Sequence, residues 1–359
     1  MAKRPIPKSS NELLFDRHVR HATFIDRLTA REKRLVTRVI VREVIPGLTE
    51  RGLAAASANA TASRARKLAA LAALEAEFRS LAATGLSAER SRFIGAMRDL
   101  AELEAEFVVN AFRVVTPADI AISYQLPATA TIRQIADNEP IRGQLLRSWF
   151  DGLGRSTADD VSKAIRLGVL EGQSVPEMRR AVANATGVAK NRAEAVVRTA
   201  VTNVTARARE TTYDENTSVI KGVQYVATLD SRTTIVCAGL DGQVFPINDG
   251  PRPPQHINCR STTVPVLRSW EELGIPANAI SPSTRASMNG QVPASTTFNG
   301  WLKDQPRGVQ NEVLGPTRAS LWREGKIELT KFTDGGRLLD LNTLRKREGL
   351  SLRDIQIAN

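Results

Sequence analysis

The chain has 359 residues, 50 Lys and Arg against 38 Asp and Glu, and only two cysteines. That length allows two or three cores at roughly 100–200 residues each. The cysteine count excludes a disulfide framework and fits a reducing compartment, and no stretch approaches the ~20 apolar residues of a membrane span. A formal charge of +12 favours polyanionic partners, but aromatics at 5% without interleaved basic positions exclude a base-stacking platform; DNA would be met through its phosphates, without sequence readout.

Residues 1–10 read as a polar basic arm with no apolar leader core after it, as expected of a soluble protein made in a cytoplasm. From Asn11 to Val44, the positions Leu14, Ile25, Leu28, Leu35, Val39 and Ile40 recur largely at helical spacing. They predict a long amphipathic helix ended by Pro46-Gly47. Residues 1–50 carry eleven Lys and Arg and six Asp and Glu, a net +5. Lys3, Arg4, Arg31, Lys33 and Arg34 are therefore candidates for contacting DNA or a protein partner. An alanine-rich stretch over 52–84, with Arg64, Arg66 and Lys67 on its polar side, predicts a second helix stopping near Thr84-Gly85. A third, from Ser87 to Val115, has Phe93, Met97, Leu100, Leu103, Phe107, Val108 and Phe112 as its buried stripe. Three such rods predict a hairpin or helical bundle, and a core too small to cover every apolar face favours packing on a partner.

Residues 116–130, with Pro117 and Pro127, predict a linker. Helical signals return from Ile132 to Glu171. Ser174 opens another helix, with Pro176 tolerated in the first turn and Glu177 at capping-box spacing, ending near Thr186-Gly187. The next, Lys190 to Tyr213, buries Ala193, Val197, Ala200, Val201, Val204 and Ala208 and shows Arg198, Asn203 and Arg209 on its other face. After Asn216 the pattern turns to β. Residues 220–229, 233–236 and 262–266 predict short strands, with a turn at Asp241-Gly242. The fold class is mainly α, with long amino-terminal helices in a bundle and a small α+β module whose short strands surround a Cys/His loop. The expected divisions are the arm and long helices over 1–115, the module over 130–268, a Ser/Pro/Asn-rich loop over 269–297 and a helical tail over 298–359.

Both cysteines, Cys237 and Cys259, and one of three histidines, His256, share one Pro/Gly-punctuated stretch: D-S-R-T-T-I-V-C-A-G-L-D-G-Q-V-F-P, then P-P-Q-H-I-N-C-R-S-T-T-V-P. Three readings are open. Two thiolates and an imidazole can bind zinc, but a structural zinc takes four ligands. The fourth would be Asp230, Asp241 or a group from elsewhere, since Thr234 stands where a Cys-x2-Cys knuckle would begin. A Cys–His nucleophile pair would need a thiolate within reach of His256 and an orienting group, and a His–Asn–His nuclease would have to recruit His18 or His21. The third reading, which needs no cofactor, is a folded loop. In it Asp241-Gly242 turns the chain, Pro253-Pro254 holds the approach to His256 extended, and Arg232 and Arg260 pair with Asp230 or Asp241. The loop without a cofactor is the expectation; zinc at Cys237, His256 and Cys259 is the alternative.

In order and spacing these residues resemble the Mu F-like phage head morphogenesis proteins, minor capsid proteins of tailed phages. The matching positions are Arg198-Thr199, Asp230, Arg232-Thr233, Cys237, Leu240-Asp241-Gly242, Phe245, Pro253-Pro254, His256, Cys259-Arg260 and Pro265, with Glu171-Gly172, Ser174 and Pro176-Glu177 upstream. Trp301-Leu302, Gln305-Pro306, Leu314-Gly315, Trp322 and Gly325-Lys326 are similar to a tail common in that family. The likeness extends over residues 130–335. Thr234, Ser261 and Ala200 depart from it where relatives carry Cys, Cys and Glu, and Gln255 is inserted before His256.

The resemblance implies no catalytic residue. It implies a structural motif built from Arg198, Thr199, Asp230, Arg232, Leu240, Asp241, Gly242, Pro254 and Arg260, and a role in procapsid assembly, DNA packaging or ejection. The expected place is the virion, inside the head near the portal vertex, after synthesis in the host cytoplasm. The expected partners are the portal protein, capsid or scaffold proteins and double-stranded DNA, with no membrane. A nuclease or transferase effector and a plain non-specific DNA-binding protein are the alternatives.

Overall fold

The computed structural model describes residues 10–58, 62–117, 120–269, 272–273 and 284–355; Lys3 and Arg4 lie outside the described residues. The chain forms two compact units, each gathered from separate stretches. The first takes 1–24, 103–128 and 205–359, and the second takes 25–102 and 129–204.

Helix α1 (Ser10–Val39) passes through a π-helical turn at Ile40–Val44 into α2 (Ile45–Ala58). Pro46-Gly47 does not end this path. The Ile45 N–H reaches back to the Ile40 carbonyl, and Pro46, which has no N–H to place, follows that wide turn. Helix α3 (Arg64–Ala73) begins on Ser63, whose side chain accepts the Arg66 N–H. Helix α4 (Glu75–Val115) runs through Gly85, where the sequence predicts a stop. A Cβ at Gly85 would lie 3.1 Å from Val44 Cγ2, so the glycine serves close packing there.

Helices α5 (Thr129–Asn138), α6 (Leu146–Glu171) and α7 (Val175–Asp214) follow. The Ser174 N–H donates to the Glu177 carboxylate at 2.7 Å, the capping contact its spacing predicts. Helix α7 also continues through Gly187 in place of the expected break. The helical cost of glycine, about 1 kcal/mol, is overridden by burial of Ala189, Ala193 and Val197 on the next turns. In the second unit α6 covers α2 and α3, with Leu48, Leu53, Leu71, Phe150, Leu153, Val161 and Ile165 buried. Part of the apolar surface for which the sequence predicts an outside partner is thus covered by α6, while Leu13, Phe24, Leu81 and Leu103 are exposed.

The first unit holds an antiparallel sheet of order β2-β1-β3, formed by β1 (Ile220–Val226), β2 (Val244–Phe245) and β3 (Thr262–Leu267). Residues 233–236 are not a strand. Thr234 accepts the Cys237 N–H and caps the short helix α8 (Ile235–Leu240), so a local cap overrides the β-branched run. The expected loop over 269–297 contains a hairpin of β4 (Thr284–Ser287) and β5 (Gly290–Pro293). The tail comprises α9 (Phe298–Lys303), α10 (Arg307–Leu314), α11 (Pro316–Arg323), the strand pair β6 (Thr333–Asp334) and β7 (Arg337–Leu338), α12 (Leu341–Glu348) and α13 (Leu352–Ile355). Its core of Phe298, Trp301, Leu321, Trp322 and Phe332 also takes in Leu229 and Ile235 from around α8.

The amino end of α1 completes this unit. Leu14 packs with Phe112, Tyr213, Ile220 and Leu267. The Asn11 carboxamide accepts the Leu267 N–H at 2.8 Å and donates to the Leu267 carbonyl at 3.3 Å. In α4, Leu103 is exposed although the stripe predicts it inside, and Glu104 is fully buried. Arg209 at 2.5 Å neutralises it, and His21 Nε2 lies 2.8 Å from its other oxygen. Arg209 and Asn203, expected on an open face of their helix, are buried. Among the described residues no helix is long and apolar enough to cross a membrane.

Candidate functional site

The Cys/His loop leaves β1, makes α8, turns at Gly242 (φ 81°) into β2 and returns to β3. Capping by Thr234 puts Cys237 in the first turn of α8. On the return, the Cys259 N–H donates to the His256 carbonyl at 3.2 Å, closing a tight turn with Asn258 at φ 65°. That turn carries His256 and Cys259 to Cys237. Cys237 Sγ lies 3.3 Å from His256 Nε2 and 3.8 Å from Cys259 Sγ. All three donor atoms fall within 4.8 Å of one another.

Both sulfurs are buried in a small cluster with Tyr225 and Ala227. The Tyr225 hydroxyl donates to Cys237 Sγ at 3.3 Å. A hydrogen bond from the Cys237 thiol holds the Cys259 thiol far below its ordinary range against the effect of burial, and His256 and the backbone N–H groups of Ser261 and Gln255 add to it. The same contact, with burial, pushes the Cys237 thiol up. His256 Nδ1 lies 2.8 Å from the Ile257 carbonyl. A carbonyl only accepts, so Nδ1 carries the proton there, and whenever the ring is neutral Nε2 offers a lone pair toward Cys237.

Two ion pairs brace the loop. Arg260 grips Asp230 through two nitrogens, one at 2.6 Å from Oδ1. Burial opposes the Asp230 charge, yet Arg260 and Arg232 outweigh it and hold the carboxyl below its ordinary range. Arg232 contributes its backbone N–H to Asp230 at 3.0 Å while its side chain is largely exposed. Asp241 pairs with neither of these arginines. Its carboxylate takes Arg285 at 3.0 Å on each oxygen, the Ala227 N–H at 2.7 Å and the Phe298 N–H at 2.7 Å. Arg285 also donates to the Ala227 and Thr296 carbonyls, so Asp241 ties the α8 turn to β1, β4 and α9.

The structure therefore brings Cys237, His256 and Cys259 together, with Asp230 and Arg260 as one brace and Asp241 in another. Leu240 packs against the Cys237 cluster, and Pro254 is half-buried in the approach to His256. Arg198 and Thr199 belong to the second unit, where Arg198 meets Asp26 at 3.2 Å and Thr199 donates to the Ala195 carbonyl at 2.7 Å. Arg31 and Arg34 are exposed, and Lys33 pairs with Glu194 at 3.4 Å. His18 and His21 are engaged elsewhere: His18 is fully buried against Leu14 and Phe107, and His21 stacks on Phe107 beside Glu104. Sequence reasoning missed Tyr225, whose place in an alternating strand was the available signal, and Arg285, which had none in its Ser/Pro-rich surroundings.

Residues 159–264 match the family model described as Phage Mu protein F like protein. The matched segment runs from within α6 into β3, takes in the whole Cys/His loop, and supports the phage head morphogenesis family. No curated protein and no solved structure matches the chain.

Proposed function

We propose that this chain, which carries a Phage Mu protein F like module over residues 159–264, is a minor head protein that docks at the portal and meets packaged double-stranded DNA. The family match carries this reading, because it spans the Cys/His loop and the Asp230–Arg260 brace. Arg260 engages Asp230 and Arg285 engages Asp241, which supports a scaffold in preference to acid–base chemistry. The net charge of +12 and the exposed Arg31 and Arg34 support phosphate contacts made without base readout. Interior placement near the portal vertex follows from the same reading.

Purified particles should contain the chain at low copy, and an isolated portal ring should retain the full-length protein. Particles lacking the polypeptide yet packaging and delivering DNA normally would overturn the assignment. In solution, affinity should be equal for unrelated duplexes and fall linearly with salt on logarithmic axes. The double variant R31E/R34E should flatten that slope by about 2, the share of two phosphate contacts.

A further inference from the structure

We infer that Cys237, His256 and Cys259 bind one zinc ion, with a solvent molecule as the fourth ligand. Zinc with Zn–S near 2.3 Å and Zn–N near 2.05 Å in a tetrahedron requires sulfurs about 3.8 Å apart and nitrogen–sulfur edges of about 3.6 Å. The protein presents 3.8 Å between Cys237 and Cys259 and 3.3 Å between Cys237 and His256, with all three atoms within 4.8 Å. The donors are thus spaced as edges of a coordination polyhedron.

Three surrounding features match what a metal needs. The Ile257 carbonyl fixes the His256 tautomer that offers Nε2 as a lone pair, the arrangement ligating histidines adopt. The Cys259 sulfur receives backbone N–H groups from Ser261 and Gln255, which support a thiolate. The Tyr225 hydroxyl, buried and within 3.3 Å, donates to the Cys237 sulfur. Two thiolates cancel the charge of Zn2+, so binding displaces two thiol protons into solvent and leaves a neutral centre in a buried place. The ion would lock the α8 turn to the return loop. It does so whatever partners the protein has.

The test uses the full-length chain, reduced and handled without oxygen, first stripped by a chelator and then titrated with Zn2+ and with Co2+. One ion per chain is expected. Cobalt should give a sulfur-to-metal charge-transfer band together with the visible bands of a tetrahedral site. His256→Ala and Cys259→Ser should lose the cobalt spectrum. Tyr225→Phe should keep it while weakening zinc about 10-fold, as removal of an outer hydrogen bond does. Ser261→Cys, at a buried position whose side chain bonds the Cys237 sulfur, should tighten binding by supplying a third sulfur. No uptake of either metal by the reduced wild-type chain would overturn the site. So would a Cys237–Cys259 disulfide that survives reductant with no metal bound, or a cobalt spectrum unchanged in His256→Ala.

Discussion

Asp241 is the side chain on which most of the module's geometry converges. It and Arg285 are almost wholly buried, and together they hold β1, β4 and the start of α9. Breaking a buried pair strands the remaining charge, so Asp241→Ala should cost about 3–5 kcal/mol, seen as a lower denaturant midpoint. Loss of under 1 kcal/mol would mean that water reaches Arg285 easily. His18 gives a prediction in pH. Burial, helped by Arg209, lowers its pKa from 6.5 to about 3. Between those values the unfolded chain takes up a proton that the folded one refuses, so stability is lost as pH falls from about 6.5, at up to about 1.4 kcal/mol per unit. Among the described residues His18 Nε2 has no hydrogen-bond partner, so His18→Leu should fold and should flatten this dependence by nearly one proton. An unchanged slope of midpoint against pH would place the titrating group elsewhere.

At the level of helices and strands, periodicity was a good guide to where regular structure exists and a poor guide to where it stops. Phe93, Met97, Leu100, Val108 and Phe112 are buried as their spacing predicts. Gly85 and Gly187 fail as terminators because each depends on a neighbour remote in sequence or on packing of adjoining turns, and Pro46 fails because the π-helical turn before it places its ring without a break. The exchange of Leu103 for Glu104 inside α4 has the same origin, since only Arg209 and His21 make a buried carboxylate tolerable. The grouping of Cys237, His256 and Cys259 was legible because rare residue types cluster there. Gly222 in β1 is decided by space: a Cβ would lie 2.9 Å from the Phe245 carbonyl oxygen. Gly222→Ala should therefore push β2 off β1 and destabilise the protein by about 1–3 kcal/mol, with hydrogen exchange of the Phe245 amide rising first. Retained protection there would show that β2 yields without loss.

At the scale of a whole compact unit, stretches far apart in the chain depend on one another. The first unit draws on three stretches of chain, and its core includes Leu14 beside Ile220 and Leu267. Deleting residues 10–24 should therefore melt the sheet as well as remove a helix, and circular dichroism with near-ultraviolet detection would register both; intact tertiary signal would mean that β1 and β3 need no support from α1. The grip of Asn11 on Leu267 reaches further than stability. Asn11 and Leu267 stand 256 residues apart in the chain, so a ribosome issues the first long before the second. Until then Leu14 and Phe15 lack their native neighbours in β1 and β3, and the wide loop to be closed slows their capture. Any product released before that point would carry this apolar surface bare, a natural mark for chaperones and proteases.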